Sequence, residues 1–178
     1  MQELGTLNER AHSLLAENKD AQSLLAIPTP ASPSLLWRPP DGSMYKLNFD
    51  AAVFTDSSTL GVGVMIRNAS DQVMAALSSR GHAVMDSEEA EVLACRRALE
   101  FAIEAGLSYL IVEGDNSNVM RSIVSTQADW SRLGNLYEDI RCLAGRLRLV
   151  EFRAIRRAAN GVAHSLAWFA RNLREEVI

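Results

Sequence analysis

Three carboxylates stand at turning points of the chain: Asp50 after an alternating apolar stretch, Glu91 at the start of an apolar helical stripe, and Asp115 after a short apolar run. Acids are rare at core positions, because burying a charge is costly unless it is paired or bound to a metal. Brought together, the three would form an oxygen-rich site for hard divalent cations such as Mg²⁺. Such a site is the core of a phosphodiester-cleaving centre.

Each acid also has a plainer use. Glu91 shares its helical stripe with Ala94, Cys95, Ala98 and Ala102, whereas Glu89 aligns with Arg96 and Arg97 on the wet face. A solvated helix acid is the ordinary alternative. Asp115 follows Tyr109-Leu-Ile-Val112 and Glu113-Gly114, at the strand end where open α/β sheets gather ligands. It equally suits a helix N-cap, accepting from the Asn118 N–H. Asp50 lies on the polar face of its strand, where a partly exposed strand-end acid is the simpler reading.

The elements that must position these acids follow from periodicity. Tyr45, Leu47, Phe49 and Ala51 alternate with Lys46, Asn48 and Asp50, predicting a half-buried strand. Residues 61–67 and 72–78 flank the turn-rich Asn68-Ala-Ser-Asp71 and read as a hairpin. Residues 86–105 read as a helix, capped by Asp86 with Glu89 in a capping-box relation. A buried-type strand is predicted over 107–112, helices over 116–126 and 131–145, a strand over 148–154 and a closing helix over 160–174. The order predicts a mixed α/β sheet.

Upstream, the composition changes. All five prolines fall between Pro28 and Pro40, so residues 27–43 read as an extended Pro-rich linker. Residues 1–26 form a predicted helical appendage, with Leu7 to Leu25 helical and a face free to pack on a larger partner. Residues 44–178 form the main domain.

A hydrophobic content of 48% and a charged content of 22% exclude bulk disorder. The net charge of −4 gives no global signature of a nucleic-acid binder. The basic residues are nevertheless uneven: Lys19 and Lys46 are the two lysines among 18 basic residues, and Arg141, Arg146, Arg148, Arg153, Arg156 and Arg157 cluster against Glu151 alone. Guanidinium forks suit phosphates, so a local basic patch is one reading, and solvated arginines on a helix and strand are the other. Cys95 and Cys142 are too few for a disulfide framework and lack metal-type spacing. No apolar run approaches the ~20 residues of a membrane span, and Met1 to Leu15 lacks the pattern of a signal peptide. The chain is therefore read as an intracellular monomer of nucleus or cytoplasm, not secreted and not membrane-bound, with both thiols reduced.

Taken together the motifs resemble one family. Lys46-Leu-Asn-Phe-Asp50-Ala-Ala, Gly61-Val-Gly-Val-Met-Ile-Arg, Glu89-Ala-Glu91-Val-Leu-Ala, Val112-Glu-Gly-Asp115-Asn-Ser and Asn160-Gly-Val-Ala-His164-Ser-Leu-Ala occur in the order of the type 1 ribonuclease H-like superfamily. With Trp37-Arg-Pro-Pro-Asp-Gly ahead of them, they are most similar to the plant domain of non-LTR retroelement reverse transcriptases, over residues 37–174.

That resemblance implies a five-stranded mixed sheet, its first three strands antiparallel, flanked by helices. It implies an RNA–DNA hybrid as substrate, cut on the RNA strand with two Mg²⁺ (or Mn²⁺) ions. Asp50, Glu91 and Asp115 match the first three positions of the family's Asp-Glu-Asp-Asp centre, with Asp50 bridging the ions. The fourth acid maps onto His164, either a ligand that favours Mn²⁺ over Mg²⁺, a group that positions water, or a half-buried histidine packing near Trp168. Ala51-Ala52 replaces the usual small-Gly-Ala step, Asn116 stands where Ser is usual, and a Lys-rich substrate handle is missing. Arg153, Arg156, Arg157, Asn160 and Asn116 are the remaining candidates for nucleic-acid contacts. The alternative is a catalytically impaired retroelement descendant that binds nucleic acid or protein.

Overall fold

The structure is a computed structural model that describes residue 13 and residues 38–40, 42–127 and 129–178. The predicted N-terminal helix and most of the Pro-rich linker lie outside the described residues. Three antiparallel strands come first: β1 (Tyr45–Phe54), β2 (Thr59–Arg67) and β3 (Val73–Gly81). Then follow α1 (Ser87–Glu104), β4 (Tyr109–Gly114), α2 (Ser117–Val124), α3 (Gly134–Ala144), β5 (Leu149–Ala154) and α4 (Gly161–Phe169). The sheet order is β3-β2-β1-β4-β5, with β4 parallel to both β1 and β5. The five-stranded mixed sheet expected from the sequence is present.

β1 is central, and this corrects the expectation of a half-buried strand. Leu47 and Phe49 join the main core under α1, yet Lys46, Asn48 and Asp50 on the other face are buried too. A strand flanked on both faces must satisfy its polar groups internally. It does so through a network: Lys46 Nζ lies 2.8 Å from Glu113 Oε1, Asn48 Nδ2 donates to Glu113 Oε2 at 3.0 Å, and Arg67 reaches Asn48 Oδ1 at 3.3 Å and Asp71 at 3.2 Å.

The hairpin turn behaves as its residues dictate. Asn68 Oδ1 accepts from the Ser70 and Gln72 N–H groups, and Asp71 adopts φ 60°, a left-handed conformation that Asp and Asn tolerate. At α1, Asp86 Oδ1 accepts from the Glu89 N–H at 2.8 Å. Glu89 Oε2 accepts in return from the Met85 N–H, not that of Asp86, so the reciprocal bond falls one residue outside the predicted capping box.

The closing helix is shorter than predicted. α4 stops at Phe169 and gives way to a single 3₁₀ turn, Ala170–Asn172. The chain then runs back so that Val177 exchanges two 3.0 Å backbone hydrogen bonds with Ser78 on β3. α4 lies directly on β2 and β1. A Cβ on Gly61 would sit 2.2 Å from the Ala167 carbonyl oxygen, and one on Gly63 would sit 2.2 Å from that of Ala163. Glycine at both positions lets the helix backbone rest on the sheet.

Candidate metal centre

The site forms where β1 and β4 part. Their last paired residues are Asn48 and Glu113, and Asp50 lies two residues on in β1, which continues to Phe54, beside the carboxyl end of β4. Past that pair β4 turns off through Asp115 into α2, leaving an opening beside β1. α1 runs under the same end of the sheet and sends Glu91 from its first turns into that opening. Ligand oxygens of Asp50, Glu91 and Asp115 all lie within 4.8 Å of one another.

Asp115 is not the cap of α2. Asn116 takes that role, its Oδ1 accepting from the Asn118 and Val119 N–H groups at 3.1 and 3.2 Å. Asp115 is thereby released toward the other acids. This resolves the two uses left open for Asp115 by the sequence.

The electrostatics are those of crowded, desolvated acids. Asp50 is 3% exposed and Glu91 9% exposed. Burial raises the Asp50 carboxyl above its ordinary value; the His164 hydrogen bond opposes this and the Asp115 charge adds to it. Burial first, then the charges of Asp50 and Asp115, push Glu91 up to about 9. Glu91 Oε2 is buried and accepts no hydrogen bond. A buried acceptor without a partner, facing two further carboxylates, fits a bound hard cation, which would remove the mutual repulsion of all three.

α4 adds two contacts at the same point. His164 Nδ1 lies 2.6 Å from Asp50 Oδ2, and its ring meets Trp168 edge-on at 6.2 Å. Asn160 Nδ2 donates to the Phe49 carbonyl at 2.8 Å and is 1% exposed. Asn160 thus staples α4 to β1 through its amide nitrogen.

A family model described as reverse transcriptase-like matches residues 48–170, more than half of the chain. The chain belongs to that family. Its fold is shared with solved RNase H domains. The N-terminal RNase H domain of a Mycobacterium tuberculosis protein is 22% identical, with a TM-score of 0.63 over 72% of this chain and 94% of that one. RNase H1 from Halobacterium salinarum is 20% identical, with a TM-score of 0.66 over 72% of this chain and 98% of that one. LC11-RNase H1, solved with an RNA/DNA hybrid, is 19% identical, with a TM-score of 0.60 over 68% of this chain and 92% of that one. No curated protein sequence matches the chain.

Two of the clustered arginines have partners within the domain. Arg141 donates to the Ser122 and Ile123 carbonyls and ties α3 to α2. Arg153 pairs with Glu151 on the same strand. Arg156 and Arg157 are exposed at the turn from β5 into α4, which carries Asn160 and His164. The staples made by Asn160 and Arg141, and the close approach at Gly63, were not read from the sequence. Gly61-Val-Gly63, two glycines on one face of a strand, is the signal that could have revealed the last of these.

Proposed function

We propose that the domain is a metal-dependent endonuclease that hydrolyses the RNA strand of RNA–DNA hybrids. The observation that carries this reading is the convergence of Asp50, Glu91 and Asp115 within 4.8 Å, with a buried Glu91 oxygen lacking a partner. The hybrid-bound LC11-RNase H1 of the same fold supports the choice of substrate.

Asp50, Glu91 and Asp115 would hold the cations, Mg²⁺ or Mn²⁺. When bound, these supply an activated water and stabilise the departing oxygen. The chain's own contribution is to hold the carboxylates fixed and close together, so that a cation would favour their ionised forms. β1 anchors Asp50, α1 brings Glu91 from beneath, and Asn116 caps α2 so that Asp115 is left free. Arg156 and Arg157, beside the site and exposed, are the proposed phosphate contacts; Arg153 is a weaker one because Glu151 competes for it. The protein is proposed to act as an intracellular monomer of retroelement descent.

One observation favours a second reading. The position of the fourth acid is filled by His164, bonded to Asp50, and a domain that binds nucleic acid without cutting it would tolerate this. Cleavage of a labelled RNA–DNA hybrid in Mg²⁺ and in Mn²⁺, beside Asp50→Asn, decides between them. Cleavage by the wild type that is lost in the variant is the expected result. Folded wild type that binds hybrid but cuts in neither metal would leave the binding-only reading.

A further inference from the structure

His164 stands apart from the carboxylate group. The three acids that approach one another do not include it, while its Nδ1 is 2.6 Å from Asp50 Oδ2. At that separation a proton lies between nitrogen and oxygen, whichever of them carries it. A ring nitrogen so engaged has no lone pair to offer a cation. The lone-pair direction of Nε2 diverges from that of Nδ1 across the ring, so an ion on Nε2 would not be the ion held by this Asp50 oxygen.

The ring is fixed from several sides. Trp168, one helical turn on, meets it edge-on at 67°. Asn160, one turn before, is tied to the Phe49 carbonyl, and the close seat of α4 on Gly63 sets the height of the helix above β1. A histidine so held can fix the plane of the carboxylate it touches, as partners of metal ligands commonly do.

We infer that His164 is a positioning residue for Asp50 and not a ligand of the ion held there, and that Asp50, Glu91 and Asp115 form a single tight cation site. This rests on the metal-centre reading above. The imidazole supplies orientation where a fourth carboxylate would have supplied a ligand, so any second ion is held weakly.

The test is a titration of the metal-free full chain with Mn²⁺, reading free ion by electron paramagnetic resonance and ligand nitrogen by electron spin echo modulation. Wild type should bind one Mn²⁺ tightly, with no modulation from a directly coordinated ¹⁴N. His164→Ala should bind the same single ion about tenfold more weakly. A directly coordinated ¹⁴N signal that disappears in His164→Ala, two equally tight ions in wild type, or unchanged affinity in His164→Ala would each overturn the inference. Failure of the metal centre itself looks different: no Mn²⁺ would bind, or Asp50→Asn would titrate as wild type does. Either result would overturn the inference along with the centre.

Discussion

Gly63 lies directly beneath Ala163: a Cβ on the glycine would stand 2.2 Å from the Ala163 carbonyl oxygen and 2.3 Å from the Ala167 nitrogen. Both obstacles are helix backbone, which cannot step aside as a flexible side chain can. Gly63→Ala should therefore lift α4 from the sheet and destabilise the fold by about 3 kcal/mol or more. Urea denaturation checks this. Variant protein that still folds should also bind Mn²⁺ less tightly, because His164 rides on the displaced helix.

Asp50→Asn should abolish cleavage. It should also leave stability unchanged or raise it by about 1 kcal/mol, a Tm gain of about 2–4 °C without metal. The asparagine oxygen still accepts from His164, while a buried charge beside Asp115 is removed. Thermal melts in EDTA beside a hybrid-cleavage assay test both halves, and cleavage retained by a clean variant would sink the proposed function.

The metal-free protein should lose stability as pH rises. Glu91 is pushed up to about 9 from an ordinary value of 4.5. Between those values the folded chain keeps a proton that the unfolded chain has released, so unfolding becomes easier with each step up in pH, by at most about 1.4 kcal/mol per unit. Below the lower value the effect vanishes, and above the upper one the loss is complete. Urea midpoints at pH 5, 7 and 9 in EDTA should fall in that order. Glu91→Gln should flatten the trend, and saturating Mg²⁺ should oppose it by favouring the ionised form.

Lys46→Met should destabilise the domain by about 3–5 kcal/mol, because Glu113 would remain buried with an amide as its neighbour in place of an ammonium. Adding Glu113→Gln to that variant should recover part of the loss. Denaturant midpoints of the two variants give the comparison. No recovery would mean that packing around Lys46, not charge, sets the cost.

Arg156→Ala and Arg157→Ala should each weaken hybrid binding uniformly across sequences and reduce the salt dependence of affinity by about one phosphate contact. Arg153→Ala should do less, since Glu151 already holds that side chain. Binding isotherms at several salt concentrations measure the slopes.

The sheet and the acid triad were legible because they rest on local signals. Alternation marked β1, an apolar stripe placed Glu91 on the buried side of α1, and the motif order aligned both with Asp115. What escaped the sequence depends on contacts between distant segments. Lys46 and Asn48 look like the wet face of a strand until β4 brings Glu113 alongside. Asn160 looks like an exposed polar residue until α4 settles on β1 and its amide finds the Phe49 carbonyl. The arginine cluster left two readings open because its members are close in sequence, and the sequence does not show that Arg141 ties α3 to α2 while Arg153 pairs with Glu151.

The outer edge of β3 carries a further consequence. An edge strand offers unpaired amide and carbonyl groups to any passing strand, and so invites self-association. Val177 fills both bonding positions of Ser78, while Glu176 beside it is gripped by Arg97 at 2.6 Å. Residues 176 and 177 thus cover part of that edge, and their grip depends on a helix that also carries Glu91. The candidate metal centre and the covered sheet edge meet on α1, where Glu91 serves the first and Arg97 the second.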